Sequence, residues 1–205
     1  MPTETKHDTK QETAAEKAER RAERQVIRDT VRKTAKKLHE VVKYPDPVLA
    51  KKGERVTEFT PELAQLVEEM FDSMYAAEGI GLAAPQIGIS QQITVIDVSF
   101  KERPEDKLVL INPEILDREG KQTEEEGCLS LPDIRAKVQR AGWVKVRAQD
   151  VTGKVFEMEG EELLARAMQH EIDHLHGILF IDHLSPLKRD LIKRRIRKLI
   201  KNDEW

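Results

Sequence analysis

The chain has 205 residues, 39% of them hydrophobic and 36% charged, with a formal net charge of −3. That composition suits one core with a charged appendage rather than two large domains. The single cysteine, Cys128, excludes an intramolecular disulfide and points to a reducing compartment, the cytoplasm. No stretch approaches the ~18 apolar residues of a membrane span, and the N-terminus MPTETKHDTK lacks the apolar segment of a secretory signal, so no membrane contact is expected.

Charge is unevenly spread. Residues 1–40 carry a balance of +3 and residues 186–205 one of +5, which leaves −11 for the body between them. Residues 1–40 have no Gly or Ser and eight acids, unlike an organelle-targeting segment. From Ala14 to Leu38 most residues are good helix formers, but few are large and apolar before Val26 and Ile27. This stretch reads as a helical or disordered extension adding little to a core, with the folded body at 41–205.

Tyr44-Pro45-Asp46-Pro47 marks a turn at the entry to the body. Thr60-Pro61-Glu62 then opens a helix, with Thr60 as N-cap and Pro61 at the first helical position. Leu63, Leu66, Val67, Met70, Phe71 and Met74 follow at helical spacing and predict one buried stripe, ending near Glu78-Gly79. Strands are predicted at Ile93–Val98, Leu108–Ile111, Trp143–Ala148 and Val155–Met158, with Asp150-Val151-Thr152-Gly153 as a hairpin connection. A long helix is predicted from Glu161 to Leu175, closed by Gly177. A last helix runs from Pro186 to Ile200, with a narrow apolar stripe of Leu187, Leu191, Ile192, Ile196, Leu199 and Ile200 on an otherwise basic surface.

The chemistry lies in His170-Glu171-Ile172-Asp173-His174. Residues four apart on a helix share a face, so His170 and His174 can bind one metal ion. Glu171 lies ~100° around the helix, within reach of a water on that metal. An open catalytic site needs a third protein ligand. A third histidine of the extended zinc-protease pattern is missing, because Phe180 stands in its place. The only later glutamate, Glu204, is next to the end of the chain. His176 is off the metal face, and His183, Asp182 and Asp190 have no support. Cys128, after Gly127, is either the third ligand or a buried small hydrophobe, and spacing leaves both open.

Three segments carry a resemblance. Gly79-Ile80-Gly81-Leu82-Ala83-Ala84-Pro85-Gln86-Ile87-Gly88, then Glu126-Gly127-Cys128-Leu129-Ser130, then Gln169-His170-Glu171-Ile172-Asp173-His174 resemble the three motifs of the peptide deformylases, in the same order. The resemblance covers about residues 41–200, and its C-terminal helix is similar to the bacterial form. It implies an α+β fold, with antiparallel sheets packed around a central metal-binding helix and a C-terminal helix. It implies removal of the formyl group from the initiator methionine of new polypeptides. By this resemblance Cys128, His170 and His174 bind the metal, and Glu171 is the general base and then the general acid. Gln86 and the Leu129 backbone N–H serve the oxyanion. Gly81, Ile80 and Leu163 face the substrate. Apart from the resemblance, the glycines of the first segment expose backbone suited to strand-like pairing with a peptide. The implied metal is ferrous iron in the cell, with zinc or nickel in purified protein. Glu126 is expected in a network around the site, with Arg135 as its partner. The basic terminal helix, through Lys188-Arg189 and Lys193-Arg194-Arg195, suits contact with ribosomal RNA.

Two other classes fit parts of the pattern. A metallopeptidase would want a downstream third ligand, which is absent. A ribosome-associated binding protein with a structural metal would have no use for Glu171 and would close the site with a fourth protein ligand.

Overall fold

The structure is a computed structural model that describes residues 13–103 and 106–205. The first twelve residues of the expected extension lie outside the described residues. Helix α1 (Ala14–Thr34) starts at a capping box, in which Thr13 and Glu16 satisfy each other's backbone N–H groups. Its exposed turns are charged, but its last part enters the core: Val31 is only 3% exposed, with Ile27 and Ala35 packed beside it.

Helix α2 (Pro61–Ala76) has Thr60 as N-cap and Pro61 in its first turn, as expected. It buries Leu63, Val67, Met70, Phe71 and Met74; each such side chain contributes about 1.5–3 kcal/mol. The chain leaves α2 through Glu78 at φ 60°.

Seven strands follow: β1 (Gly81–Ala83), β2 (Ile93–Ile96), β3 (Leu108–Glu119), β4 (Gln122–Cys128), β5 (Leu131–Arg140), β6 (Trp143–Gln149) and β7 (Val155–Glu161). Five form an antiparallel sheet in the order β1-β2-β3-β6-β7, and β4-β5 form a separate antiparallel hairpin. The four predicted strands correspond to β2, β3, β6 and β7, with β3 much longer than expected. Strands β1, β4 and β5 were not foreseen. The β6–β7 turn is the predicted one, with Asp150 Oδ1 accepting from Thr152 and Lys154 N–H.

Helix α3 (Glu162–Leu175) lies between the two sheets. Ala165, Met168 and Ile172 pack with Val144, Val146 and Ala148 of β6, and its other side faces the hairpin. Gly177 turns the chain away at φ 73°, and a Cβ there would stand 2.7 Å from the Ala50 backbone, so only glycine fits. Helix α4 (Pro186–Lys201) closes the chain. Its predicted apolar stripe is only partly used: Ile196 is buried, while Leu187 is 71% and Leu191 56% exposed. The architecture is α+β, two antiparallel sheets around a central helix, with a terminal helix. No helix among the described residues is long and apolar enough to cross a membrane.

Candidate metal centre

His170 and His174 lie one turn apart on the hairpin-facing side of α3, and both are buried. Strand β4 ends at Cys128, which brings its thiol to the same point. The three ligand-capable atoms lie within 4.8 Å of one another. Cys128 Sγ is 3.2 Å from His174 Nε2, and the two Nε2 atoms are 3.2 Å apart. Of the two readings left open for Cys128, the geometry favours the ligand. Phe180, in place of a third histidine, stacks against the His170 ring at 6.4 Å between centroids.

Glu126 orients the first histidine. Its Oε1 accepts from His170 Nδ1 at 2.6 Å and Arg140 Nη2 at 2.7 Å, and its Oε2 accepts from Arg140 Nε at 3.2 Å and Arg166 Nη1 at 2.8 Å. Burial alone would raise the Glu126 pKa, but hydrogen bonds from His170 and Arg140 hold it well below the ordinary range. An ionised carboxylate only accepts, so His170 Nδ1 carries the proton and Nε2 presents its lone pair to the site. Burial pushes the His174 pKa well down, which favours the neutral ring, the form able to bind a metal. The network differs from the expected one. Arg135 packs beside Gly127 and lines the cavity, while Arg140 and Arg166 hold Glu126. Arg140 also bonds Asp173 of α3, whose Oδ2 meets His183 Nε2 at 2.7 Å. His183 and His176, which bonds the Ile172 carbonyl, both stay off the centre.

Glu171 is 4% exposed, and its Oε2 has no hydrogen-bond partner. Burial raises its pKa to about 7. Gly81 lies directly against it: a Cβ on Gly81 would stand 2.3 Å from Glu171 Oε1. Gln86 is fixed by the backbone three residues before it. Its Oε1 accepts from Ala83 N–H at 2.9 Å, which aims the Nε2 at Ser130 Oγ, 3.3 Å away, and Cys128 Sγ, 3.5 Å away. These residues border a cavity of about 680 Å³. Gly81, Ile80, Leu129 and Leu163 all line it. Leu163 is 49% exposed, so it is wall rather than core.

The donor set fits a divalent metal. Two imidazole Nε2 atoms and one thiol converge at distances where their lone pairs would otherwise face each other, and Glu171 Oε2 beside them is buried without a partner. Three protein donors leave room for water or substrate. Fold and site thus fit a hydrolase built around a candidate Cys-His-His metal centre.

The sequence comparisons make this specific. A sequence model of the polypeptide deformylase family matches residues 38–190. The chain is 67% identical over 168 residues to the peptide deformylase of Acidobacterium capsulatum, covering 82% of this chain and 99% of that one. It is 50% identical over 158 residues to that of Thermodesulfovibrio yellowstonii, covering 77% and 96%. The crystal structure of a peptide deformylase from Legionella pneumophila superimposes with a TM-score of 0.75 at 44% identity, covering 82% of this chain and 98% of that one. The chain belongs to the peptide deformylase family, the metal-dependent enzymes that remove the N-terminal formyl group from nascent proteins. Helix α1 lies outside the family match.

Proposed function

We propose that Cys128, His170 and His174 hold the metal of this deformylase, that Glu171 moves the protons, and that Gln86 and the Leu129 N–H receive the oxyanion. The observation that carries this reading is the convergence of Cys128, His170 and His174 within 4.8 Å, beside a buried and unpartnered Glu171. When bound, a divalent ion supplies Lewis acidity that makes water nucleophilic near neutral pH. Glu171, with a pKa near 7, takes the proton from the attacking water and returns it to the amine that leaves. The Gln86 amide donates to the oxygen that gains charge without bringing a charge of its own, and a lost donor of this kind costs about 10²–10³ in rate.

Gly79, Ile80 and Gly81 line the cavity, and β1 is an edge strand. Its main chain would pair with the substrate peptide, while Ile80 and Leu163 contact the methionine side chain. The metal in the cell is ferrous iron, with zinc or nickel able to occupy the same donors in purified protein. The lone thiol ligand makes the centre oxidisable and suits the cytoplasm. Lys188, Arg194, Arg195 and Lys198 are exposed on α4 and would meet phosphates of ribosomal RNA.

The test uses anaerobically purified full-length protein, with metal content and formate release from a formyl-methionyl peptide read on one sample. About one iron per chain is expected, and Glu171→Gln should keep the metal while losing about 10²–10⁴-fold in turnover. Wild-type formate release from Glu171→Gln would remove Glu171 from this role. Ribosome co-sedimentation that does not change on reversing the charge of Arg194 and Arg195 would remove the RNA contact.

A further inference from the structure

Helix α1 docks beside the catalytic cavity and brings an arginine to its rim. Three contacts hold it there. Arg28 pairs with Glu78, Arg32 Nη2 donates to the Ala76 carbonyl at 3.1 Å, and Val31 is buried among α2 residues. Arg24 lies one helical turn before Arg28, and its side chain lines the same cavity as Gly79, Gly81 and Glu171. Its guanidinium stands 4.7 Å from the centre of the Phe100 ring, a stacking contact that fixes the side chain and leaves its in-plane donors free. Arg24 makes no hydrogen bond or ion pair with any described residue, and its Nε is buried without a partner.

Glu78, which lines the same cavity, is engaged by Arg28, so it does not neutralise the positive charge on Arg24. Glu125 and Asp133 also line the cavity, but neither pairs with Arg24. The position along the cavity follows from the chain. Gly81 abuts Glu171 at the reaction centre, and Glu78 is three residues away, a reach of at most roughly 10 Å at ~3.5 Å per residue. An extended peptide spans that distance in about three residues.

We propose that Arg24 makes this deformylase favour nascent chains with an aspartate or glutamate two or three residues after the formyl-methionine. The carboxylate would accept from the guanidinium fork on the α1 side of the cavity. This rests on the catalytic reading above but tests separately from it. Turnover of a neutral formyl-Met peptide by the wild type reports on the reaction centre, and only the ratio between peptides reports on Arg24.

The experiment compares C-terminally amidated formyl-Met tetrapeptides with Asp, Ala or Lys at the third and fourth positions, using the iron-loaded full chain. Amidation removes the terminal carboxylate as a competing ligand. In the wild type, kcat/KM for the Asp peptide should exceed that for the Ala peptide about fivefold, mainly through KM, and the ratio should fall toward one as salt is raised. Arg24→Met keeps an apolar stem on Phe100 and should bring the ratio to about one, Arg24→Lys should retain part of it, and Arg24→Glu should favour the Lys peptide. Hydrogen exchange of the α1 amides in Arg24→Met should match the wild type, which separates loss of charge from loss of helix docking. A ratio near one in the wild type, or an unchanged ratio in Arg24→Met, overturns the proposal.

Discussion

The β4–β5 hairpin with α3 and the two flanking helices α1 and α4 treat charge in opposite ways. Inside, Glu126 is held by His170, Arg140 and Arg166 together, and Arg140 is shared with Asp173. Buried charges of this kind are costly unless each is met by partners of good geometry, and the reward is a fixed orientation of the His170 ring. Outside, α1 and α4 carry charges that face water, where exposed ion pairs contribute about 0–1 kcal/mol each. A centre that must stabilise a transition state is over-determined, whereas charged surfaces that face water can remain loosely specified.

The comparison predicts large effects wherever the interior is disturbed. Gly81→Ala should be the most damaging single methyl group, because its Cβ would overlap Glu171 Oε1. Glu171 must move, and a displacement of ~1 Å in a reacting group can cost about 10²-fold. Metal content should stay near the wild-type value while turnover falls by about that factor. Near wild-type turnover would mean that Glu171 tolerates another position, and the interior would then be less rigid than the hydrogen-bond network implies.

Glu126→Gln ranks next. The amide retains the shape but loses the charge, so Arg140 and Arg166 face a neutral partner, and His170 loses the carboxylate that fixes its tautomer. Metal affinity should fall about 10–100-fold, read by chelator competition on the iron- or zinc-loaded protein. Arg135→Ala is the control for the partner expected from sequence. Arg135 makes no contact with Glu126 in the network, and metal affinity should not change.

These two variants also show what the sequence carried. The helix of His170 and His174 was legible because four-residue spacing has one geometric meaning, and α2 because Thr60-Pro61 and an apolar stripe agree on where it starts and which face it buries. The partner of Glu126 was not legible. Arg135, Arg140 and Arg166 are equivalent as residue types; the β4–β5 register, which pairs Glu126 with Ala136 and Gly127 with Arg135, decides between the first two, and the packing of α3 against the hairpin brings in Arg166. Strand β4 itself was hidden by Glu124-Glu125-Glu126, which resembles a solvated run. In β5, Ile134, Ala136 and Val138 alternate with charged residues, a period-two signal that was present but not read. Helix α1 was visible as helix-forming sequence, yet so few apolar residues gave no sign that Val31 would be buried or that Arg24 would border the cavity.

The smallest predicted effect lies between the two regions, beneath the Phe100 ring that Arg24 covers. Asp97 is buried, and its carboxylate accepts from Tyr75 Oη at 2.6 Å, Ser99 Oγ at 2.6 Å and the N–H groups of Ser99 and Lys101. Burial would raise its pKa, but the hydrogen bonds from Ser99 and Tyr75 outweigh it and leave the pKa below the ordinary aspartate value of 3.8. For an acid depressed in the folded state, the stabilisation is complete above the unfolded pKa and is lost as pH falls through the folded one. Asp97→Asn should therefore lower stability against urea at pH 7, with the gap to wild type closing only below about pH 3.8. A gap constant down to pH 2 would assign the effect to hydrogen-bond geometry rather than charge. If instead the gap vanished already at pH 7, the turn at Phe100 and Lys101, both at positive φ, would be held by ring packing against Tyr75 and Arg24, and α1 would contribute more to the body than its charged exterior suggests.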